Sequence, residues 1–192
     1  MPSKKDLRRH FRRQRQSLPP DERRRAEKRI NNLLKGYLKR GKRLAIYWPI
    51  GSELRLDSLA AAARSRGTEL YLPYIEPRKK RMWFTPYREG AAAERKRGRA
   101  KLNVPQFAGR KIRADRLDVM VIPVVAADRT GCRLGQAGGY YDATLAECRF
   151  RRPLAVAAGF ACQLAERLPR EAHDILLDGF VSERHKLRFP RR

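Results

Sequence analysis

Acidic residues are scarce in this sequence. Its 192 residues contain 20 Asp and Glu against 46 Lys and Arg, which gives a formal net charge of +26 at pH 7. So large an excess of positive charge favours polyanionic partners, among them nucleic acids, acidic membranes, nucleotides and polycarboxylates. Charge alone does not choose among these classes.

Cysteine is also rare. The spacing of Cys132, Cys148 and Cys162 matches neither a zinc site nor a CxxC redox motif, and three thiols cannot all pair within one chain. We therefore expect reduced thiols in a cytoplasmic protein. Because no recognisable base accompanies Cys132, a nucleophilic role for this residue is disfavoured.

Long apolar runs are absent as well. The longest, around residues 119–127, falls short of the roughly 18 residues that a membrane-spanning helix needs, and the N-terminus lacks the apolar core of a signal peptide. The 42% hydrophobic content is enough for a buried core, and no linker or repeat divides the chain. We expect one domain over residues 1–192, a monomer, with basic N-terminal helices at about residues 3–40 packed on an α/β core.

The positive charge is concentrated in two segments. Residues 1–43 hold 17 Lys and Arg against 4 acids, residues 78–116 hold 14 against 3, and the remaining chain holds 15 against 13. Two basic segments therefore accompany an otherwise ordinary globular sequence. Solvated helix faces explain many of these charges as readily as a polyanion site does.

The first half of the chain predicts two helices followed by alternating strands and helices. Residues 3–16 suit a short helix with Ser3 as its N-cap, and a second helix restarts after Pro20 and stops near Gly41. Strands are expected at residues 43–50, closed by Pro49, and at residues 68–75, closed by Pro73, with a helix over residues 56–67 between them. This alternation predicts βαβ units and a mainly parallel sheet.

The second half continues the alternation around one apolar strand. Residues 117–125, LDVMVIPVV, have the composition of a central strand that is covered on both faces. The remaining assignments are a strand at 81–87, a loop or hairpin at 88–111, a helix from 140, a strand at 153–161 and one or two short strands at 173–182. The sequence thus predicts an α/β fold with three layers, an open, mainly parallel sheet flanked by helices.

A glycine-rich segment follows the central strand. Residues 131–145, GCRLGQAGGYYDATL, contain four glycines and two adjacent tyrosines, with Arg133 before them and Asp142 after. Ligands of open α/β sheets bind at the carboxyl ends of strands, where glycine turns let backbone N–H groups approach an anion. A Walker A loop is excluded because no lysine is followed by Ser or Thr, and a dinucleotide fingerprint is disfavoured because the glycine spacing and the later acid are missing.

The same segment resembles the signature of the 5-formyltetrahydrofolate cyclo-ligase family, which runs roughly G-x-R-L-G-x-G-x-G-Y-Y-D. Three further stretches match in the order of the family. KKDLRR resembles its K-x-x-L-R, WPIGSELRLDSL resembles the stretch that carries a glutamate, here Glu53, and AHDILLDGFVSE resembles its closing H-D-x-x-x-D segment. The four matches cover nearly the whole chain.

The resemblance implies a NagB/RpiA-like fold and an ATP- and Mg²⁺-dependent ligase of one-carbon metabolism. In that reaction ATP phosphorylates the formyl oxygen of 5-formyltetrahydrofolate, N10 attacks the activated carbon, and phosphate leaves to give 5,10-methenyltetrahydrofolate. Such chemistry asks the protein mainly for positioning and charge neutralisation. A reduced folate with a polyglutamate tail would suit the basic surface, and no specific nucleic acid or membrane partner is implied.

The resemblance also assigns site residues. The nucleotide would be bound by Lys4, Arg8, Arg133, Leu134, Gly135, Gly138, Gly139, Tyr140 and Tyr141, of which Arg133 and Tyr141 are the candidate catalytic residues. Folate would be bound by Glu53 with Gly135, Gly138 and Gly139, and Mg²⁺ by Asp142 and Asp174.

Simpler alternatives accompany these assignments. Asp142 could be a helix N-cap, Lys4 and Arg8 could be solvated charges, and Glu53 could be a surface residue. One of the two tyrosines is expected in the core, and His173 is expected to be structural.

Three positions depart from the family pattern. Ala137 replaces the middle glycine, Ala143 stands where arginine is common, and Val104 replaces a glutamate. If the middle position needs a positive φ, an alanine methyl strains the turn by about 1 kcal/mol.

Two functions other than the cyclo-ligase activity stay open. One is a folate-binding homologue with weakened catalysis. The other is a basic nucleic-acid-binding protein, motivated by RRHFRRQR and ERKRGRAK, although no helix-turn-helix, RNP or zinc signature supports it.

Overall fold

The computed structural model describes residues 2–88, 90–97, 104–148 and 152–190. Its α-helices are α1 (Lys4–Gln16), α2 (Pro20–Leu34), α3 (Asp57–Ser65) and α4 (Tyr140–Ala146). Its strands are β1 (Arg43–Ala45), β2 (Glu69–Ile75), β3 (Met82–Pro86), β4 (Arg95–Arg97), β5 (Val104–Gln106), β6 (Val119–Pro123), β7 (Ala126–Asp128), β8 (Arg133–Leu134), β9 (Leu154–Ala158), β10 (Leu164–Ala165), β11 (Gly179–Val181) and β12 (Lys186–Arg188). Among the helices of these ranges, none is both long and apolar enough to cross a bilayer.

The main sheet has seven strands in the order β12-β11-β9-β6-β1-β2-β3. The five strands from β11 to β2 are parallel, and the edge strands β12 and β3 are antiparallel to their neighbours. The apolar strand β6 lies in the middle, as a strand covered on both faces must. The predicted mainly parallel sheet is confirmed.

Helices cover both faces of this sheet. Side chains alternate along each strand, so Leu44 and Val121 pack in one cluster with residues of α2 and α3, whereas Ala45 and Met120 pack in another with Leu145 of α4. The three-layer α/β arrangement is confirmed. The narrower NagB/RpiA-like label stays a prediction.

Strand β2 continues through Pro73, so the prediction that this proline closes the strand is wrong. Pro73 lies opposite Phe84 of β3, and Phe84 directs its own N–H and C=O to Ile112 on its other side. Residues that lie opposite each other in an antiparallel pair exchange either two backbone hydrogen bonds or none. Because Phe84 bonds to Ile112, it needs no hydrogen bond from the backbone nitrogen at position 73. On the other side, β1 pairs with β2 only as far as Tyr71. The missing N–H therefore breaks no ladder bond.

Two other predicted boundaries are too long. The second helix was expected to stop near Gly41, but α2 ends at Leu34 and a 3₁₀ turn follows at Lys35–Tyr37. Gly36 is a poor helix former, and 3₁₀ turns commonly tighten the ends of α-helices. Strand β1 ends at Ala45 rather than near Pro49, and its pairing with both neighbours, β2 and β6, ends at that residue.

The remaining expectations hold with small changes. Strand β3 is present, and β4 pairs antiparallel with β5, which makes the basic stretch a hairpin; residues 98–103 between the two strands lie outside the described ranges. Of the short strands expected at 173–182 only β11 occurs there, and its partner β12 follows it.

A small second sheet places α1 beside the glycine-rich segment. Strands β10, β7 and β8 form this sheet, and Phe11 of α1 packs with Leu134 and Cys132 against it. Ser3 caps α1 as predicted, since its hydroxyl accepts the Asp6 N–H at 3.2 Å. The sequence did not predict this sheet, which divides the glycine segment into a hairpin turn at Gly131 and a separate loop after Leu134.

Candidate active site

A cavity of about 610 Å³ lies where the parallel strands β1, β2 and β6 end. Volumes of this size are usual for small-molecule sites, which span about 300–1,000 Å³. Its wall contains the twelve residues that the sequence assigned to a site: Lys4, Arg8, Glu53, Arg133, Leu134, Gly135, Gly138, Gly139, Tyr140, Tyr141, Asp142 and Asp174. Residues from four distant stretches of the sequence thus meet in one place.

Helix α1 holds two parts of this wall. The Arg8 Nε donates to the Gly135 carbonyl at 2.8 Å. One turn earlier, the Lys4 ammonium lies 3.0 Å from both an Asp174 and a Glu171 carboxylate oxygen. Neither Lys4 nor Arg8 is simply solvated, so that simpler alternative is wrong for both residues.

Arg133 forms the most enclosed ion pair in the cavity wall. Its Nη2 lies 2.6 Å from the Asp142 Oδ2, and its side chain is only 5% exposed. The guanidinium also lies over the Tyr141 ring, 5.6 Å from the ring centre. Among the described residues its buried Nε has no hydrogen-bond partner. A buried donor without a partner costs about 1–3 kcal/mol, so Arg133 is suited to an anionic ligand.

Asp142 is not the N-cap of α4. That position belongs to Gly139, which has a φ of 66°, and Asp142 follows in the first turn. Its Oδ1 accepts the backbone N–H of Ile175 at 3.2 Å, which brings Asp142 next to Asp174 in space. The N-cap alternative is therefore wrong.

The loop between β8 and α4 needs glycine at two positions for different reasons. Gly139 occupies the left-handed region, which side chains rarely adopt. At Gly138 a Cβ would approach the Tyr140 ring to 2.7 Å. The backbone of this loop can therefore come close to a ligand while Tyr140 packs against it.

Glu53 is held firmly although it lies in a loop. It is 6% exposed, its Oε2 accepts the Ile50 N–H at 3.0 Å, and its Oε1 accepts from the Gln136 amide at 3.1 Å. The neighbouring Ser52 is anchored by Arg15 and Arg23 of the N-terminal helices. The alternative that Glu53 is a surface residue is wrong.

Three side chains that could bind a metal lie close together around Asp174 in the cavity wall. Donor atoms of Glu171, His173 and Asp174 lie within 4.8 Å of one another. Burial raises the pKa of the Asp174 carboxyl, but the Glu171 N–H and the Lys4 ammonium outweigh it and leave the pKa below its usual value. Asp174 is therefore ionised at neutral pH. His173 lies at the surface, with a side chain that is 72% exposed, and not in the structural position expected from the sequence.

The profile of the 5-formyltetrahydrofolate cyclo-ligase family matches residues 1–183. The chain belongs to this family. A cyclo-ligase of Escherichia coli strain K12 is 33% identical over 141 residues, which cover 72% of this chain and 76% of that one. A cyclo-ligase of Mycolicibacterium smegmatis is 26% identical over 183 residues, with 91% of each chain covered.

Solved structures give the same family. The NMR structure of the Aquifex aeolicus 5,10-methenyltetrahydrofolate synthetase is 29% identical, with a TM-score of 0.78 and coverage of 98% of this chain and 94% of that one. A synthetase structure from Mycoplasma pneumoniae has a TM-score of 0.75 at 20% identity, covering 95% of this chain and 99% of that one, and so supports the fold.

Ala137 is the departure from the cyclo-ligase pattern that the structure explains most directly. Its φ is 78°, in the left-handed region, as the glycine of the family pattern suggested. The loop therefore keeps a conformation suited to glycine and carries the strain of the methyl group. Val104, the second departure, also lies in the cavity wall, and Ala143 lies in α4.

Replacement of Ala137 by glycine is expected to raise the free energy of unfolding by up to about 1 kcal/mol, because glycine adopts a positive φ without strain. Urea denaturation would measure the change. Ala61, exposed in α3, serves as the control, since Ala61→Gly should lower stability by about 1 kcal/mol. A loss of stability in both variants would contradict the strain at Ala137.

Burial determines the protonation states of Tyr141 and Cys132, two side chains that could otherwise act as a base or a nucleophile. Burial raises the pKa of the Tyr141 hydroxyl, the Glu53 carboxylate raises it further, and Arg133 offsets only part of this. Tyr141 can therefore donate a hydrogen bond but cannot serve as a base at neutral pH. Burial together with the Asp128 carboxylate raises the pKa of the Cys132 thiol to about 11, which agrees with the absence of a nucleophilic role.

Sequence reasoning missed several residues in the wall of the site. Gln136 was passed over as a variable position, and Trp48 was quoted within a strand and within the stretch that carries Glu53 but was given no role in the site. Trp48 lines the cavity with its side chain 36% exposed, and Tyr87 and Phe107 brace its ring at centroid distances of 6.3 and 5.9 Å. A tryptophan five residues before Glu53 was the one available signal.

Proposed function

We propose that this chain catalyses the ATP-dependent ring closure of 5-formyltetrahydrofolate to 5,10-methenyltetrahydrofolate, with release of ADP and phosphate. The observation that carries the proposal is the single cavity in which the glycine loop, the buried Arg133 and the Glu53 carboxylate meet. The glycine loop and Arg133 offer backbone N–H groups and charge for phosphates, and Glu53 offers a fixed acceptor for the folate ring. Transfer of a phosphoryl group between two bound substrates requires this proximity.

The nucleotide end is formed by the glycine loop and cationic side chains. The buried Nε of Arg133 would donate to a phosphate oxygen, and the loop N–H groups at Gly138 and Gly139 would contribute further donors. Such groups stabilise the charge that develops on the transferred phosphoryl. Tyr141 keeps its proton and orients the Arg133 guanidinium through ring contact.

The folate end is formed by Glu53 and aromatic side chains. The carboxylate would accept N–H groups of the pterin edge, and the exposed face of Trp48 would pack against a ring of the substrate. The excess positive charge would favour polyglutamylated folates. A cytoplasmic location and a monomeric state are part of this proposal.

Asp142 and Asp174 fit a magnesium ion. Both are carboxylates in the cavity wall, which suits a hard cation, and Asp142 accepts the backbone N–H of Ile175, the residue after Asp174. When bound, the ion would neutralise charge on the nucleotide phosphates. Lys4, paired with Asp174, would keep that carboxylate oriented.

An absorbance assay tests the proposed reaction. Purified protein with 5-formyltetrahydrofolate, ATP and Mg²⁺ should produce the near-ultraviolet absorbance of the methenyl product. The signal should disappear when ATP or Mg²⁺ is omitted. Absence of product at high enzyme concentration would refute the proposal, and folate binding without turnover would support the homologue with weakened catalysis instead.

A further inference from the structure

The side-chain amide of Gln136 joins three parts of the cavity wall. Its Oε1 accepts from the Arg12 guanidinium of α1, and its Nε2 donates to the Glu53 Oε1 at 3.1 Å. The preceding residue, Gly135, is bound through its carbonyl by Arg8. Gln136 is thus the point where α1, the glycine loop and the loop that carries Glu53 are connected by side-chain hydrogen bonds.

These bonds determine how Glu53 presents its carboxylate. The Ile50 N–H is bound to Oε2 and the Gln136 amide to Oε1, so each oxygen has one fixed donor. A carboxylate has about four lone-pair positions, which leaves about two for a ligand. The Arg12 guanidinium polarises the amide and strengthens its donor end.

The amide of Gln136 satisfies both of its neighbours. It accepts from the cationic Arg12 at one end and donates to the anionic Glu53 at the other. A carboxylate there would repel Glu53, and an ammonium would repel Arg12. Gln136 is exposed, and its side chain makes both of these hydrogen bonds from the cavity wall.

We propose that Gln136 is a positioning residue for the folate subsite, which orients Glu53 from the nucleotide loop. The inference rests on the proposed function. Gln136 lies in the glycine loop, where its neighbours would bind the phosphates of ATP. The proposal gives Gln136 a role in the recognition of the other substrate, the folate. Removal of the amide should therefore weaken folate recognition while the phosphate-binding backbone stays in place.

Steady-state kinetics of Gln136→Met test the proposal, since methionine keeps the volume and removes both hydrogen bonds. We expect KM for 5-formyltetrahydrofolate to rise about 10-fold, in line with the loss of a hydrogen bond to a charged group. KM for ATP and kcat should stay within about 2-fold of wild type, because the loop backbone is unchanged. Asn32→Ala is the matched control. Asn32 is an exposed amide in α2 that accepts a hydrogen bond from the Lys35 ammonium, so its removal should change neither KM.

Two further variants separate positioning from simple loop stability. Gln136→Glu replaces the amide donor with a second carboxylate beside Glu53, so KM for 5-formyltetrahydrofolate should rise at least as much as in Gln136→Met while KM for ATP stays near wild type. Arg12→Ala should raise KM for folate in wild type and have no further effect in Gln136→Met, because Arg12 acts through Gln136.

The outcomes are distinguishable. An unchanged folate KM in Gln136→Met, or an equal rise in the KM values of folate and ATP, would overturn the positioning role while the proposed function stands. Additive effects of Arg12→Ala and Gln136→Met would overturn it as well. A wild-type protein without turnover would refute the proposed function and this inference with it.

Discussion

Replacement of Arg133 by alanine is expected to lower kcat/KM for ATP by about 1,000-fold, within the range seen when a preorganised charged donor to a transferring phosphoryl is removed. Arg133 is the buried cation of the cavity, with one Nη bound to Asp142 and an Nε that has no partner among the described residues. Arg133→Lys keeps the charge but loses the planar fork, so we expect a loss of about 100-fold. Steady-state kinetics with varied ATP would measure both effects.

A structural loss has to be separated from a catalytic one. Removal of one partner of a buried pair destabilises a protein by about 3–5 kcal/mol. Arg152 provides the matched control, because its Nη2 forms a similar pair with Asp178 at 2.6 Å and it does not line the cavity. Arg152→Ala should lower stability in urea denaturation while kcat/KM stays near wild type. Folded Arg133→Ala protein with wild-type kinetics would refute the phosphate-binding role.

Replacement of Asp142 by asparagine is expected to lower turnover by at least about 100-fold and to shift the Mg²⁺ concentration required for half-maximal activity upward. Asparagine keeps the shape of the side chain and can still accept the Ile175 N–H. It loses the negative charge that pairs with Arg133 and that a hard cation prefers. A titration of activity against Mg²⁺ would show both changes.

The control for this variant is a second buried carboxylate. Asp178 pairs with Arg152, accepts the Ala155 N–H at 2.7 Å and is absent from the cavity wall. Asp178→Asn should lower stability and leave the Mg²⁺ titration where it is in wild type. If Asp142→Asn changed only stability in the same way, Asp142 would have no role in metal binding.

The strong positive charge has a partly internal explanation. Composition pointed to a polyanionic partner, whereas Arg8, Arg12, Arg15 and Arg23 form hydrogen bonds to the loops that build the cavity. Arg15 is itself buried, and burial lowers its pKa while the Glu53 carboxylate opposes the change. The N-terminal helices therefore support the glycine-rich loop and the loop that carries Glu53, a role that no count of charges could have indicated.

The position of a site could be predicted because it follows from local sequence. A continuous apolar strand must be central, a parallel sheet gathers its loops at one edge, and glycines next to such a strand allow close approach of the backbone. At Ala137 the family pattern adds to this local reasoning. The family pattern has glycine there, which raised the question whether the position needs a positive φ, and the structure shows that Ala137 adopts one.

Boundaries failed where a neighbouring strand decided them. Pro73 was expected to close β2, yet it continues the strand because Phe84 turns its bonds toward Ile112. Whether a proline breaks a ladder depends on which side its nitrogen faces, and that is set by the partner strand.

The sequence by itself determined the α/β class and the central strand, because each depends on the pattern of residues within a short stretch. The set of side chains that share the cavity was implied by the resemblance to the family. Only the tertiary structure decided what those side chains contact. It paired Arg133 with Asp142 and Lys4 with Asp174, and it connected Gln136 to Glu53 across 83 residues. Contacts between distant segments depend on how helices pack on the sheet, and no local pattern of residues specifies that geometry.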